Sequence, residues 1–199
     1  MTSPTRPHRQ SAPATGSGLP RLLRQAERLR VTSAQAAAGR CMALSLELCL
    51  LARENGVPAE LVVWQVHKDP NFAEHWAVAV GDGLILDPTR VQVDGRTRLR
   101  HAWSDYPASF TGVRSYPASL LLPGFDSGAG TGQRVPASFM WTVRWRLLRH
   151  DLAQARQARR PGAMASALLS AGKFALVYPL DLAKARLERR RNDLLQRVR

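Results

Sequence analysis

Three residues of this chain have the types and the order needed to activate a thiol. Cys41 follows Gly39-Arg40 at the start of the apolar stretch CMALSLELCLLARE; His75 opens the run HWAVAV; Asp87 closes the run LILD. A thiol becomes a strong nucleophile as a thiolate. It needs a base to take its proton, and the base needs a partner to fix its tautomer. A cysteine at a helix start also gains from the exposed N–H groups and macrodipole there, which lower thiol pKa values to about 3.5–7.5 in reactive sites. Cys49, two turns further on among leucines, reads as a small buried hydrophobe.

The geometry imposes a condition on His75 and Asp87. The two apolar runs flank Gly81-Asp82-Gly83, a turn signal for a β-hairpin. With a three-residue loop, Val80 pairs with Leu84 and Ala77 stands opposite Asp87, so His75 and Asp87 share one face within side-chain reach. A two-residue loop would put them on opposite faces, because a one-residue slip inverts a strand. Taken singly, His75 also fits a structural or surface histidine, and Asp87 before Pro88 fits a turn residue.

The elements that must position these groups are legible around them. Cys41 to Glu54 is apolar on most sides and long enough for a central helix, with Gly56 as its stop. After Pro58, LVVWQV (Leu61 to Val66) reads as a strand. Upstream, Pro20 starts a basic helix to about Arg30, with Leu22, Leu23, Ala26 and Leu29 on one face. Residues 95–122 hold strand-like pieces without a strong period. The Gly-rich loop at residues 123–136 contains GAGTG but lacks the Lys-Ser/Thr of a phosphate loop. Helices are expected over Ser138 to Arg160, ending at Pro161-Gly162, and over Asp181 to Val198.

In order, GRCMALSLELCLLARENGVPAELVVW followed by HWAVAVGDGLILDPT resembles the transglutaminase-like branch of the papain-like cysteine enzymes. Gly39, Cys41, Gly56, Val57, Pro58, Ala59, His75, Trp76, Asp87, Pro88 and Thr89 carry the resemblance, which spans about residues 33–94. It implies an α+β fold with the Cys-bearing helix packed on an antiparallel sheet. It also implies Cys41 as nucleophile, His75 as general base and Asp87 as the orienting acid. Bacterial members include peptidases, amidases, glutamine deamidases and acyl-transferring cross-linkers, so the implied partner is a protein or peptide substrate. Gln35, six residues before Cys41, is spaced like the oxyanion glutamine of papain-like peptidases; a polar residue in a capping stretch explains it equally. Trp64 and Trp76 fit either a wall that keeps water from the site or ordinary core packing.

The chain of 199 residues has a formal charge of +14, unevenly spread. Residues 1–40 hold seven basic residues against one acidic, residues 41–94 three against eight, residues 95–140 five against two, and residues 141–199 fourteen against four. An acidic centre thus lies between basic flanks. The hydrophobic content of 45% excludes a wholly disordered chain. Two cysteines exclude a disulfide scaffold and a four-cysteine zinc site. With no HExxH and no Cys/His cluster, no metal and no cofactor is expected.

The expected organisation is a disordered tail at 1–19, a catalytic core at 20–136, and basic C-terminal helices at 137–199. Those helices fit three roles: amphipathic packing with a solvated Arg face, docking of residues 141–199 onto nucleic acid or an anionic membrane, and neutralisation of the acidic core. Trp141 and Trp145 lie near one end of them. No apolar run follows the N-terminal arginines and none reaches membrane-spanning length, so a cytoplasmic protein is expected, with delivery into another cell left open. Two functions follow: a cysteine-dependent hydrolase or acyl transferase acting on an amide through a thioester, or an inert scaffold of the same fold that binds through its basic helices.

Overall fold

The computed structural model describes residues 18–66, 74–81, 83–121 and 137–157. Of the expected disordered tail at 1–19, residues 1–17 lie outside these residues, while Gly18 and Leu19 open a helix rather than ending a tail; the loop at 123–136 and the helix from Asp181 also lie outside them. The chain forms two compact units, Met1–Val143 and Arg144–Arg199.

The first unit is mixed α+β around a five-stranded antiparallel sheet. Its helices are α1 (Gly18–Ala26), continued by a short 3₁₀ turn at Glu27–Leu29, α2 (Ala34–Ala37), α3 (Cys41–Glu54), α4 (Val91–Asp94) and α5 (Ala118–Leu121). The strands are β1 (Ala59–Val66), β2 (Glu74–Val80), β3 (Leu84–Leu86), β4 (Arg100–Ala102) and β5 (Phe110–Pro117), in the order β4-β3-β2-β1-β5. A longer helix, α6 (Ala137–Gln157), contains the division between the two units.

The central helix spans the apolar stretch read from the sequence, Cys41 to Glu54, and buries Leu44, Leu46, Leu48, Cys49 and Ala52. It stops because Gly56 takes φ +64, a left-handed conformation that costs glycine little. The Val57 N–H then bonds to the Ala52 carbonyl, and β1 begins two residues later. This short turn, with α3 packed on β1 and β2, sends the helix back along β1. Fourteen helical residues span about 21 Å, close to the length of the eight-residue β1 at about 3.3 Å per residue. The N-terminus of α3 therefore lies at the end of the sheet where β2 begins.

β2 and β3 pair as Val80 with Leu84, Ala79 with Ile85, and Val78 with Leu86, the register of a three-residue loop. Gly81 and Gly83 carry φ +54 and +95 there, and the Gly83 N–H bonds to the Gly81 carbonyl. One face of the sheet gathers Val62, Trp64 and Val66 of β1 with Ala77, Ile85, Tyr106 and Phe110 in a buried cluster. Residues 95–122, aperiodic in sequence, supply the short β4 and the edge strand β5, whose pairing with β1 is irregular between Val63 and Gln65. The expected basic helix from Pro20 ends sooner than Arg30, giving way to the 3₁₀ turn after Ala26. Among the described residues no helix is long and apolar enough to cross a membrane.

Candidate active site

Trp64 stands opposite His75 in the β1–β2 register. Residues two apart on a strand share a face, so His75 lies on the side of Ala77, the aromatic side. The imidazole is fully buried, with the Phe110 ring edge-on at 5.5 Å and the Trp64 ring tilted at 6.1 Å. Trp76, the next residue of β2, points to the opposite face. Both tryptophans are buried, and of the two, Trp64 lies against the imidazole.

Asp87 follows β3 directly and is also fully buried. The Leu99 carbonyl accepts its backbone N–H, which holds the residue in line with the hairpin. The side chains meet as the hairpin register requires: His75 Nε2 lies 2.7 Å from Asp87 Oδ2. Three further donors reach the carboxylate. The Thr89 N–H and hydroxyl donate to Oδ1 at 2.9 and 3.1 Å, and the Tyr106 hydroxyl donates to Oδ2 at 3.0 Å.

These bonds decide the charge state. Burial pushes the Asp87 carboxyl toward neutrality, but the facing imidazole and the donors from His75, Thr89 and Tyr106 outweigh it and hold its pKa below the ordinary value. Burial and the adjacent Asp87 charge drive the Tyr106 phenol well above its ordinary value, so it stays protonated and donates. An ionised carboxylate can only accept. His75 must therefore carry its proton on Nε2, which makes Nδ1 the basic nitrogen of the neutral ring.

Cys41 is the first residue of α3 and is half-buried, whereas Cys49 is fully buried, its thiol pushed up to about 12 by burial. Two ties bring the chain on either side of the candidate residues together. The Val31 N–H donates to the Pro88 carbonyl at 2.8 Å, and α2 packs against α4. The first of these segments leads into Cys41 and the second leads out of Asp87. Gln35 sits on α2 and is exposed.

Sequence alone does not give three contributors their roles. Thr89 belongs to the Asp-Pro-Thr pattern, and an Asp accepting from the residue two further on is a common local turn. Tyr106 has no local signal. Neither has Arg90, whose guanidinium is buried, paired with Asp94, bonded to the Asp105 carbonyl, and placed 4.3 Å from the Tyr106 ring centroid. His101 is also buried, with Nε2 2.7 Å from the Arg98 carbonyl. Among the described residues no group of three or more His, Cys, Asp or Glu side chains is arranged to hold a metal ion. Comparison with protein-family models, curated proteins and solved structures finds no match to this chain.

Proposed function

We propose that this chain is a cysteine-nucleophile hydrolase or acyl transferase that acts on a carboxamide or peptide carbonyl. The fold reading behind it is a papain/transglutaminase-like arrangement of helix and sheet. The observation that carries the proposal is the buried His75–Asp87 pair, with both carboxylate oxygens saturated and Nδ1 left as the basic nitrogen. Such an arrangement holds an imidazole in one tautomer and stabilises its protonated form, as a thiol base requires.

In this mechanism His75 Nδ1 takes the Cys41 proton, and the thiolate adds to the carbonyl carbon. The Cys41 backbone N–H, at the helix start, is the natural first donor to the resulting oxyanion. Collapse of the adduct breaks the C–N bond, and the proton on Nδ1 passes to the leaving amine. The thioester is then attacked by water, giving hydrolysis, or by an amine, giving transfer. In either case His75 takes the attacker's proton and the thiolate is released.

The test is the rate of Cys41 alkylation by iodoacetamide as a function of pH, in the wild type and in His75→Ala. The expected result is a thiolate that persists well below pH 8 in the wild type and is lost in the variant. An ordinary midpoint near about 8.5 in both proteins would refute the proposal.

A second reading, an inert scaffold that binds an anionic membrane or nucleic acid through its basic segment, has one observation in its favour. Trp141 and Trp145, one turn apart on α6, are 39% and 52% exposed on a helix rich in arginine. It predicts binding to anionic vesicles or nucleic acid that falls steeply with salt. Absence of binding at low salt would dismiss it.

A further inference from the structure

We infer that Tyr106 is a positioning residue of the site proposed above: its hydroxyl shares Asp87 Oδ2 with the imidazole and sets how strongly the carboxylate holds the His75 imidazolium. The inference rests on the reading of Cys41, His75 and Asp87 as a thiol-activating set.

The two bonds on Oδ2 are 2.7 Å from His75 Nε2 and 3.0 Å from the Tyr106 hydroxyl. Two donors on one oxygen compete for the same negative charge, so the phenol draws density away from the imidazole. Thr89 acts on the other oxygen, through bonds that the local turn supplies. Tyr106 comes from a separate segment, after the 3₁₀ turn at Trp103–Asp105. A phenylalanine would fill the same apolar space without the cost of drying a hydroxyl. The hydroxyl is thus a polar group buried against one carboxylate.

Its ring is held from several sides. Tyr106 stacks on Trp64 with centroids 4.3 Å apart and planes 18° from parallel. The Arg90 guanidinium carbon lies 4.3 Å from the ring centroid, and Arg90 also bonds to the Asp105 carbonyl, on the peptide that leads into Tyr106. The charged and titratable groups around the phenol are Asp87 after β3, His75 on β2, Arg90 before α4 and His101 on β4, whose ring is 6.3 Å away. Asp94 is engaged by Arg90 and Arg96, and Asp105 accepts the Ala102 N–H. Arg90 is the cation that favours proton donation by the phenol.

The experiment follows the ring ¹⁵N shifts of His75 against pH in the full chain. In Tyr106→Phe, Oδ2 loses its second donor and holds the imidazolium more tightly. The midpoint for imidazolium deprotonation should rise by about half to one pH unit, a three- to tenfold change in proton affinity. Replacing Tyr106 with 3-fluorotyrosine keeps the shape and strengthens the donor, and should move the midpoint down. That opposite sign cannot arise from loosened packing, and it keeps the test decisive if Tyr106→Phe fails to fold. A midpoint unmoved by 3-fluorotyrosine overturns the inference. If Cys41 alkylation obeys His75→Ala while the midpoint stays fixed, Tyr106 alone has been misread. If alkylation ignores His75→Ala, the thiol chemistry fails and the role of Tyr106 fails with it.

Discussion

Asp87→Asn separates a carboxylate that orients His75 from a polar residue that merely fills space. The substitution keeps the shape, removes the charge and replaces one acceptor oxygen with a two-donor nitrogen. Both orientations of the amide conflict with the bonds around Asp87. If the nitrogen takes the Oδ2 position, it faces the Tyr106 hydroxyl and His75 Nε2. Nε2 must then become the acceptor and the ring proton moves to Nδ1, the nitrogen required as base. If the nitrogen takes the Oδ1 position, it faces the Thr89 backbone N–H, a donor that cannot reverse. One opposed buried donor costs about 1–3 kcal/mol, and each charge-assisted bond made neutral loses about 1 kcal/mol more. The expected destabilisation is about 3 kcal/mol at neutral pH, read from urea unfolding at unchanged slope.

The pH dependence follows from the direction of the Asp87 shift. Its folded pKa lies below the ordinary value. Its contribution is therefore fully present above the unfolded value of about 3.9 and is lost as pH falls through the lower folded value. The gap between wild type and Asp87→Asn should narrow as pH falls below about 4. Cys41 alkylation at neutral pH should slow at least about tenfold in the variant, because the wrong tautomer disables the base. A variant as stable as wild type at pH 7, or a gap unchanged in acid, would refute the reasoning.

Two other outcomes are expected. Cys49, fully buried with its thiol pushed up to about 12, should resist iodoacetamide in the native protein at pH 8 while Cys41 reacts, as peptide mapping would show; equal labelling of both would contradict the burial of α3. Arg90→Leu should destabilise by about 2–3 kcal/mol, because it leaves the Asp94 carboxylate and the Asp105 carbonyl without the guanidinium. Thermal unfolding that matches wild type would rule that out.

The parts of this site that sequence made legible are those governed by local rules. The helix from Cys41 to Glu54 was bounded by its own apolar composition and by Gly56. The hairpin gave a condition, that a three-residue loop or a bulge between the two runs would put His75 and Asp87 on one face, and the pairing of Val80 with Leu84 meets it. What escaped was set by tertiary packing. Tyr106 reaches Asp87 from a segment with no period, because β4 is three residues long and the pairing of β5 with β1 is interrupted. Nothing local marks Arg90 as a guanidinium enclosed by a carboxylate, a carbonyl and a phenol ring.

The bond from Val31 to Pro88, with α2 packed on α4, has a consequence for how the site assembles. The hairpin that joins His75 to Asp87 closes over a few residues, and a contact so local forms early. The clasp joins chain before the helix to chain after the hairpin, so its loop entropy is met only once α3 and the sheet have docked. Cys41 comes with α3, so the clasp closes over a thiol that has already docked. The Val31 amide proton, slow to exchange only when the clasp is shut, would serve as the marker of a completed site.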